Sequence, residues 1–237
     1  MYQFDYAFLL HEIWIAVTYL PLTLLLAAVP VGFGLIFGAL LAIFRIHRVP
    51  VLGPIARGYV VLVRGMPMVL VMLILYFSFV YGFDALAEAL GWSLRSGKIP
   101  DLVFALIVLS FLAVAFISES IRTALQSVPP GQIEAAQSIG MTTLMTYRRV
   151  IIPQALPVAI PILGNTLISQ AKGTALVYMI GVTDLITGVK IEANATYRYL
   201  EAYIACALIY WALCLAIEQG IRLLNNLVRT HYKEAAA

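Results

Sequence analysis

The sequence predicts an all-helical protein that crosses a membrane five times and carries one polar, helix-forming connector. Three observations predict it. Of 237 residues, 62% are hydrophobic and 11% charged, whereas a soluble domain carries about a quarter charged residues. Apolar runs of the ~20 residues needed to cross hydrocarbon recur along the chain. Lys and Arg fall unevenly between the connections, as they do in membrane proteins that obey the positive-inside rule.

The first thirteen residues, MYQFDYAFLLHEI, contain Asp5 and Glu12 but no Lys or Arg. A cleavable signal peptide needs a basic start, so residues 1–17 are expected as an interfacial segment on the outer side, with Pro21 marking the turn into the bilayer. Span 1 covers 18–44, with Gly34, Gly38 and Ala42 as a stripe of small residues that lets helices approach closely. Spans 2 and 3 cover 59–83 and 101–124, separated by a long connection at 82–101. Span 4 covers 154–176, with Pro153, Pro157 and Pro161 spaced to bend its start. Span 5 covers 200–223, and 225–237 is a short tail. Cys206 and Cys214 on that span would lie roughly 12 Å apart along one helix, beyond disulfide reach. The stretch GVTDLITGVKIEANATYR, too charged to cross and too apolar to float, is expected to fold back over the outer mouth.

Nine basic residues (Arg45, Arg48, Arg57, Arg122, Arg148, Arg149, Arg222, Arg229, Lys233) fall on one side and four (Arg95, Lys98, Lys190, Arg198) on the other. The richer side is cytoplasmic, which puts the N-terminus outside and the C-terminus inside. It also puts PPGQIEAAQSIGMTTLMTYRRVIIPQALP, beginning at Pro129, in the cytoplasm. Ile133, Ala136 and Gly140 share a helix face there, Gly140 breaks the helix and Pro153 opens the next span. On the residues alone the stretch reads as a short helix on the cytoplasmic surface, with an ordinary interfacial connector held by snorkelling arginines as the plain account.

Ionisable residues inside spans are functional candidates. Arg64 and Glu119 lie at matching depth, near 8 Å from the cytoplasmic surface, and are expected to pair as a structural or gate-forming ion pair, with direct substrate contact as the alternative. Arg122 reads as an interfacial anchor. Span 4 gathers Asn165, Thr166, Ser169, Gln170, Lys172 and Thr174, donors and acceptors that suit a zwitterion. Lys172 is equally an outer-gate residue or a snorkelling one. The three histidines are too scattered for a metal or a catalytic triad, and the chain contains no G-x-x-x-x-G-K-[ST] phosphate loop. Nothing suggests nucleic-acid binding.

Glu134-Ala135-Ala136, three residues, Gly140, nine residues, then Val150-x-Ile152-Pro153 resembles the E-A-A-x3-G-x9-I-x-L-P loop of bacterial ABC importer permeases. VRGMPMVLV at 63–71, AFISESIRTALQSVPPGQ at 115–132 and AKGTALVYMIGVTDL at 171–185 resemble the R-G-T-P, A-Y-x-x-E-x-x-R…G-Q and K-D-T-S-L segments of the polar amino-acid branch of that family, the histidine, glutamine, arginine and cystine permeases. Met66, Phe116, Gly173, Ala175, Val150 and Ile152 depart from those patterns. The resemblance implies the transmembrane fold of a type I ABC importer, residues 18–224 forming the transmembrane domain. It implies a bacterial inner-membrane permease that imports an amino acid by alternating access. Its expected partners are a cytosolic ATPase dimer that binds ATP and Mg, a second permease chain (identical or homologous) and an extracytoplasmic amino-acid-binding protein; no cofactor is expected on this chain. The loop at 132–153 becomes the coupling helix, with Glu134, Ala135, Ala136, Gly140 and Pro153 at the ATPase contact. Arg64, Glu119, Asn165, Ser169, Gln170 and Lys172 are expected along the path or gate. The rival reading is a secondary transporter or channel driven by an ion gradient.

Overall fold

The computed structural model describes residues 3–234, with side-chain environments to residue 230. The ends of both expected terminal segments, residues 1–2 and 235–237, lie outside the described residues, as does the side chain of Lys233. Helices occupy most of the chain: α1 Tyr6–Ile46, α2 Leu52–Gly65, α3 Met68–Ala89, α4 Asp101–Leu125, α5 Pro130–Ser138, α6 Thr143–Thr146, α7 Ile152–Gly173, α8 Leu185–Thr196 and α9 Tyr199–Glu234. A π-helical turn, Tyr147–Ile151, joins α6 to α7, and 3-10 turns lie at Ser96–Lys98 and Thr174–Ile180. Five segments are long and apolar enough to span: Tyr6–Ile46, Met68–Ala89, Asp101–Leu125, Thr143–Ile180 and Tyr199–Thr230.

α1 begins at Asp5, whose carboxylate accepts from the N–H groups of Ala7 and Phe8, both at 3.0 Å. This cap satisfies two of the donors that open every helix. The expected turn at Pro21 is absent, because α1 runs unbroken through Pro21 and Pro30. Membrane helices tolerate proline where neighbouring helices and local adjustment re-satisfy the freed backbone. Glu12, expected in an outer interfacial segment, is fully buried.

α1 and α4 form the centre of the molecule. The stripe of Gly34, Gly38 and Ala42 is buried, and a Cβ at Gly38 would stand 2.9 Å from the Ser118 nitrogen and 3.0 Å from the Val114 oxygen. Only an absent side chain lets the two backbones approach so closely. Around this contact Leu26, Val60, Met72, Leu109 and Leu112 make the main core.

The expected second span, 59–83, is two helices. Met66 is extended (φ −112, ψ 154) ahead of Pro67, the conformation that proline imposes on its predecessor. α2 is therefore a separate amphipathic helix that buries Gly53, Ala56, Val60 and Val63 on one stripe, and α3 alone is long enough to cross. At the far end, α8 packs on α1 and α9 through Leu185, Val189, Ala193, Ala16, Ala202 and Cys206. Asp184 caps α8 by accepting from the Thr187 N–H (3.1 Å) and the Tyr210 hydroxyl (3.2 Å). Burial pushes the Asp184 carboxyl above its usual range, and these bonds partly offset that. Both cysteines are free, and α9 continues to Glu234 without a break at the expected tail boundary.

Candidate functional site

Three groups of expected site residues can be placed. The first is the polar connector. Pro130 occupies the first turn of α5, where its missing N–H costs nothing and its fixed φ suits a helix. Gly140 ends the helix at φ +83, a conformation that favours glycine. Its N–H donates to the Gln137 carbonyl at 2.9 Å, and the Met141 N–H donates to the Ala136 carbonyl at 3.1 Å. This paired closure is the Schellman motif, and it satisfies two carbonyls the helix would leave open. Thr142 then caps α6, its hydroxyl accepting from the Met145 N–H at 3.3 Å.

The π turn follows. The Ile152 N–H donates to the Tyr147 carbonyl, five residues back, and Pro153 stands in the first turn of α7 with no N–H to offer the Arg149 carbonyl. α7 itself continues helical through Pro157 and Pro161. Ala136 is buried, while Val128, Ile151 and Ala155 pack with Leu125, Ile133 and Tyr147 beneath the connector.

Glu134 and Ala135 face outward. Beside them Ile139 is 76% and Leu144 78% exposed. Sequence reasoning missed these two residues; the available signal was a large apolar side chain on each flank of the Gly140 turn. With Glu134 and Ala135 they leave one carboxylate, one small side chain and two large hydrophobes exposed around the Gly140 turn.

The second group is a charge clasp. Glu119 on α4 receives Arg45 of α1 (Nη2 to Oε2, 2.8 Å) and Arg122 of α4 (Nη2 to Oε1, 2.5 Å; Nε to Oε2, 3.1 Å). Arg64 of α2 is farther, with Nη1 3.5 Å from Oε1. The expected Arg64–Glu119 pair thus exists as the longest arm of a four-residue cluster, and Arg122, read as an anchor, is the tightest partner. Arg45 was overlooked. Each arginine stands in the last turn of its own helix, so three helix C-termini, each worth about half a negative charge, converge with Glu119 on three guanidinium groups. That convergence offsets the apparent surplus of positive charge. It also ties α1, α2 and α4 together at one end.

The third group lies on α7. Asn165, Ser169 and Lys172 are exposed at i, i+4 and i+7, a common face. Gln170 departs from them: it is buried, and its Nε2 has no hydrogen-bond partner among the described residues. Thr166 faces Ser120 at 3.1 Å, and Thr174 faces the Tyr210 hydroxyl at 3.3 Å. Among the described residues no group of His, Cys, Asp and Glu could hold a metal ion.

Residues 34–230 match the family model described as "Binding-protein-dependent transport system inner membrane component". The chain is 35% identical over 213 residues to the probable amino-acid permease protein YxeN of Bacillus subtilis, covering 90% of this chain and 91% of that one. It is 32% identical to the L-cystine transport system permease protein TcyL of Bacillus subtilis, covering 89% and 86%. Among solved structures, the crystal structure of an amino acid ABC transporter with histidines superposes with a TM-score of 0.80 at 31% identity, over 95% of this chain and 99% of that one.

Proposed function

The chain belongs to the family of binding-protein-dependent transport system inner membrane components, and from that membership we propose that it is the permease subunit of an ATP-driven importer of a polar amino acid. The observation that carries the reading is the outward ridge of Glu134, Ala135, Ile139 and Leu144 around the Gly140 turn. A surface with two bare hydrophobes is costly unless covered, and a rigidly closed turn can pass on a push that a loose loop would absorb. The partner is a cytosolic ATPase that supplies ATP and Mg, since the sequence has no phosphate loop of its own. Glu134 and Ala135 sit at that contact, with Gly140 and Pro153 shaping its two ends; Ala136, expected there as well, is buried and supports the helix from beneath instead. A second permease chain and an extracytoplasmic binding protein complete the assembly.

The orientation, N-terminus outside and C-terminus inside, is supported by the nine-to-four distribution of basic residues. Asn165, Ser169 and Lys172 supply the donors and acceptors a zwitterion needs along the path, whereas Gln170 is buried apart from them. The Arg64–Glu119 arm forms the inner gate, because Arg64 is the most exposed guanidinium in the clasp and has the longest contact.

The test is reconstitution in proteoliposomes with the ATPase and binding protein, recording uptake of radiolabelled histidine, glutamine, arginine and cystine. Uptake that needs ATP on the side where a tag at Ser138 is accessible, and the binding protein on the side of Lys98, is expected. Uptake driven by an ion gradient without ATP would replace this reading with a secondary transporter.

A further inference from the structure

A furrow of about 820 Å³ runs between α1, α2 and α4, away from the polar face of α7. Phe33, Phe37 and Phe44 of α1, Leu52 and Ile55 of α2, and Ile107 of α4 are representative of its wall. Of its sixteen lining residues, Tyr59 and Ser110 alone carry polar side-chain atoms. Both are already committed: the Tyr59 hydroxyl donates to the Phe111 carbonyl, and the Ser110 hydroxyl donates to the Leu106 carbonyl at 2.6 Å. The wall therefore offers an occupant no free hydrogen-bond donor and almost no polar surface. An amino acid would lose the solvation of its carboxylate and ammonium there with nothing in return, so the furrow is no part of the transport path. Its occupant is hydrocarbon.

The shape and the charge at one end narrow the chemistry. From Val29 to Phe44 the furrow follows α1 for roughly 22 Å, longer than the ~15 Å of a single leaflet's hydrocarbon, so one acyl chain fits along it. Phe44 and Leu52, at one end, flank the tight connection between α1 and α2, where Arg48 and Val51 adopt positive φ of 49 and 66. Arg48 is tied to this corner by its backbone, which would lie within 3.6 Å of a Cβ at Gly53. Its side chain is exposed. Unlike Arg45, which Glu119 holds, Arg48 makes no ion pair among the described residues. An exposed cation on the corner that adjoins one end of an apolar furrow, in a chain that spans a bilayer, is complementary to an anionic headgroup with its chain attached.

We propose that this furrow holds one acyl chain of an anionic phospholipid whose phosphate is bound by Arg48. The inference concerns a face that the transport reading does not use and stands or falls apart from it. The lipid acts as a wedge that fills the angle between α1, α2 and α4, next to the clasp that joins the same three helices.

The experiment uses the complete importer, embedded in nanodiscs of equal phosphatidylglycerol and phosphatidylethanolamine, re-extracted in mild detergent and analysed for retained phospholipid by mass spectrometry. The expected result is phosphatidylglycerol retained in preference to phosphatidylethanolamine. Ser110→Phe, which fills the middle of the furrow, and Ile55→Trp, which narrows its rim, each cut retention by roughly fivefold or more, equivalent to ~1 kcal/mol of binding. Arg48→Gln keeps the chain bound but erases the headgroup preference. Wild-type retention in both filling variants, or no preference in the unmodified protein, overturns the proposal. So does efficient disulfide formation between two copies carrying Phe37→Cys, since a second copy would then cover this face.

Discussion

Glu119 carries four contacts from three arginines, and those contacts are unequal in a way that sets what each residue is worth. The Arg45 side chain is 10% exposed and Arg64 42%. Removing Glu119 strands three cations at once, one of them nearly buried, and an uncompensated buried charge costs about 3 kcal/mol or more. Removing Arg64 leaves the carboxylate with Arg45 and Arg122, and an exposed arm is worth about 0–1 kcal/mol. Glu119→Gln is therefore expected to lower the melting temperature of the purified complex far more than Arg64→Gln, with Arg45→Gln between them and the Arg64/Glu119 double variant no worse than Glu119→Gln. Equal losses from Arg64→Gln and Glu119→Gln would contradict the inequality. The sequence made the Arg64–Glu119 arm legible because rise per residue gives depth, and depth suffices to match two charges. It could not show Arg45, since depth says nothing about which neighbouring helix ends at the same level. Arg122 was legible in principle, three residues from Glu119 on one helix face, but an arginine near a membrane surface also invites the reading of a simple anchor.

The helices themselves show the same division. The five apolar runs each correspond to a spanning segment, because desolvating a backbone in lipid leaves helix as the available form. Their limits were poorly legible where proline acts in two opposite ways. Pro67, with Met66 extended before it, breaks the chain into α2 and α3, whereas Pro21 and Pro30 sit inside a 41-residue helix; the outcome depends on tertiary neighbours that a single run of sequence does not reveal. That α1 would approach another helix closely was legible from the small-residue stripe, but not that its partner is α4, and the contact yields a prediction for these two elements. At Gly38 the atoms facing a new Cβ are the backbone of Ser118 and Val114, which cannot rotate aside as a side chain could. Gly38→Val must separate the helices and is expected to cost about 1–3 kcal/mol or more through overpacking. Gly82→Val, with nothing within 4 Å of its Cβ position, serves as the control. Melting temperature and yield after detergent extraction distinguish them, and equal behaviour of the two variants would argue against the packed α1–α4 contact.

Across the whole molecule, the connector from α5 to the π turn is the place where an outward surface meets the spanning bundle through a continuous path. Ile133 packs against Val128, Ile151 and Ala155 and Ala136 is buried, the π turn leads without a break into α7, and α7 carries the polar face of Asn165, Ser169 and Lys172. Variants along that path separate docking from folding. Ala135→Asp and Ile139→Asp change side chains that already face outward, so the bundle should insert and melt as the parent does. A new carboxylate in a packed contact is poorly solvated and unpaired, so ATPase recovery on the permease should fall by about tenfold for each variant, equivalent to ~1.4 kcal/mol, and uptake should fall with it. Gly140→Val acts differently. Its β-branched side chain is forced into positive φ, which strains the turn itself, so loss of the closing bonds from Gly140 and Met141 should appear as faster amide exchange in α5 even when no ATPase is present. Faster exchange in Ala135→Asp as well would mean that its effect begins in the fold, and full ATPase recovery with parental uptake in all three variants would return this segment to a connector. The discriminating pattern is lost ATPase binding with unchanged α5 protection in the two outward variants, together with weakened protection in Gly140→Val alone, because only a preformed surface fails in that order.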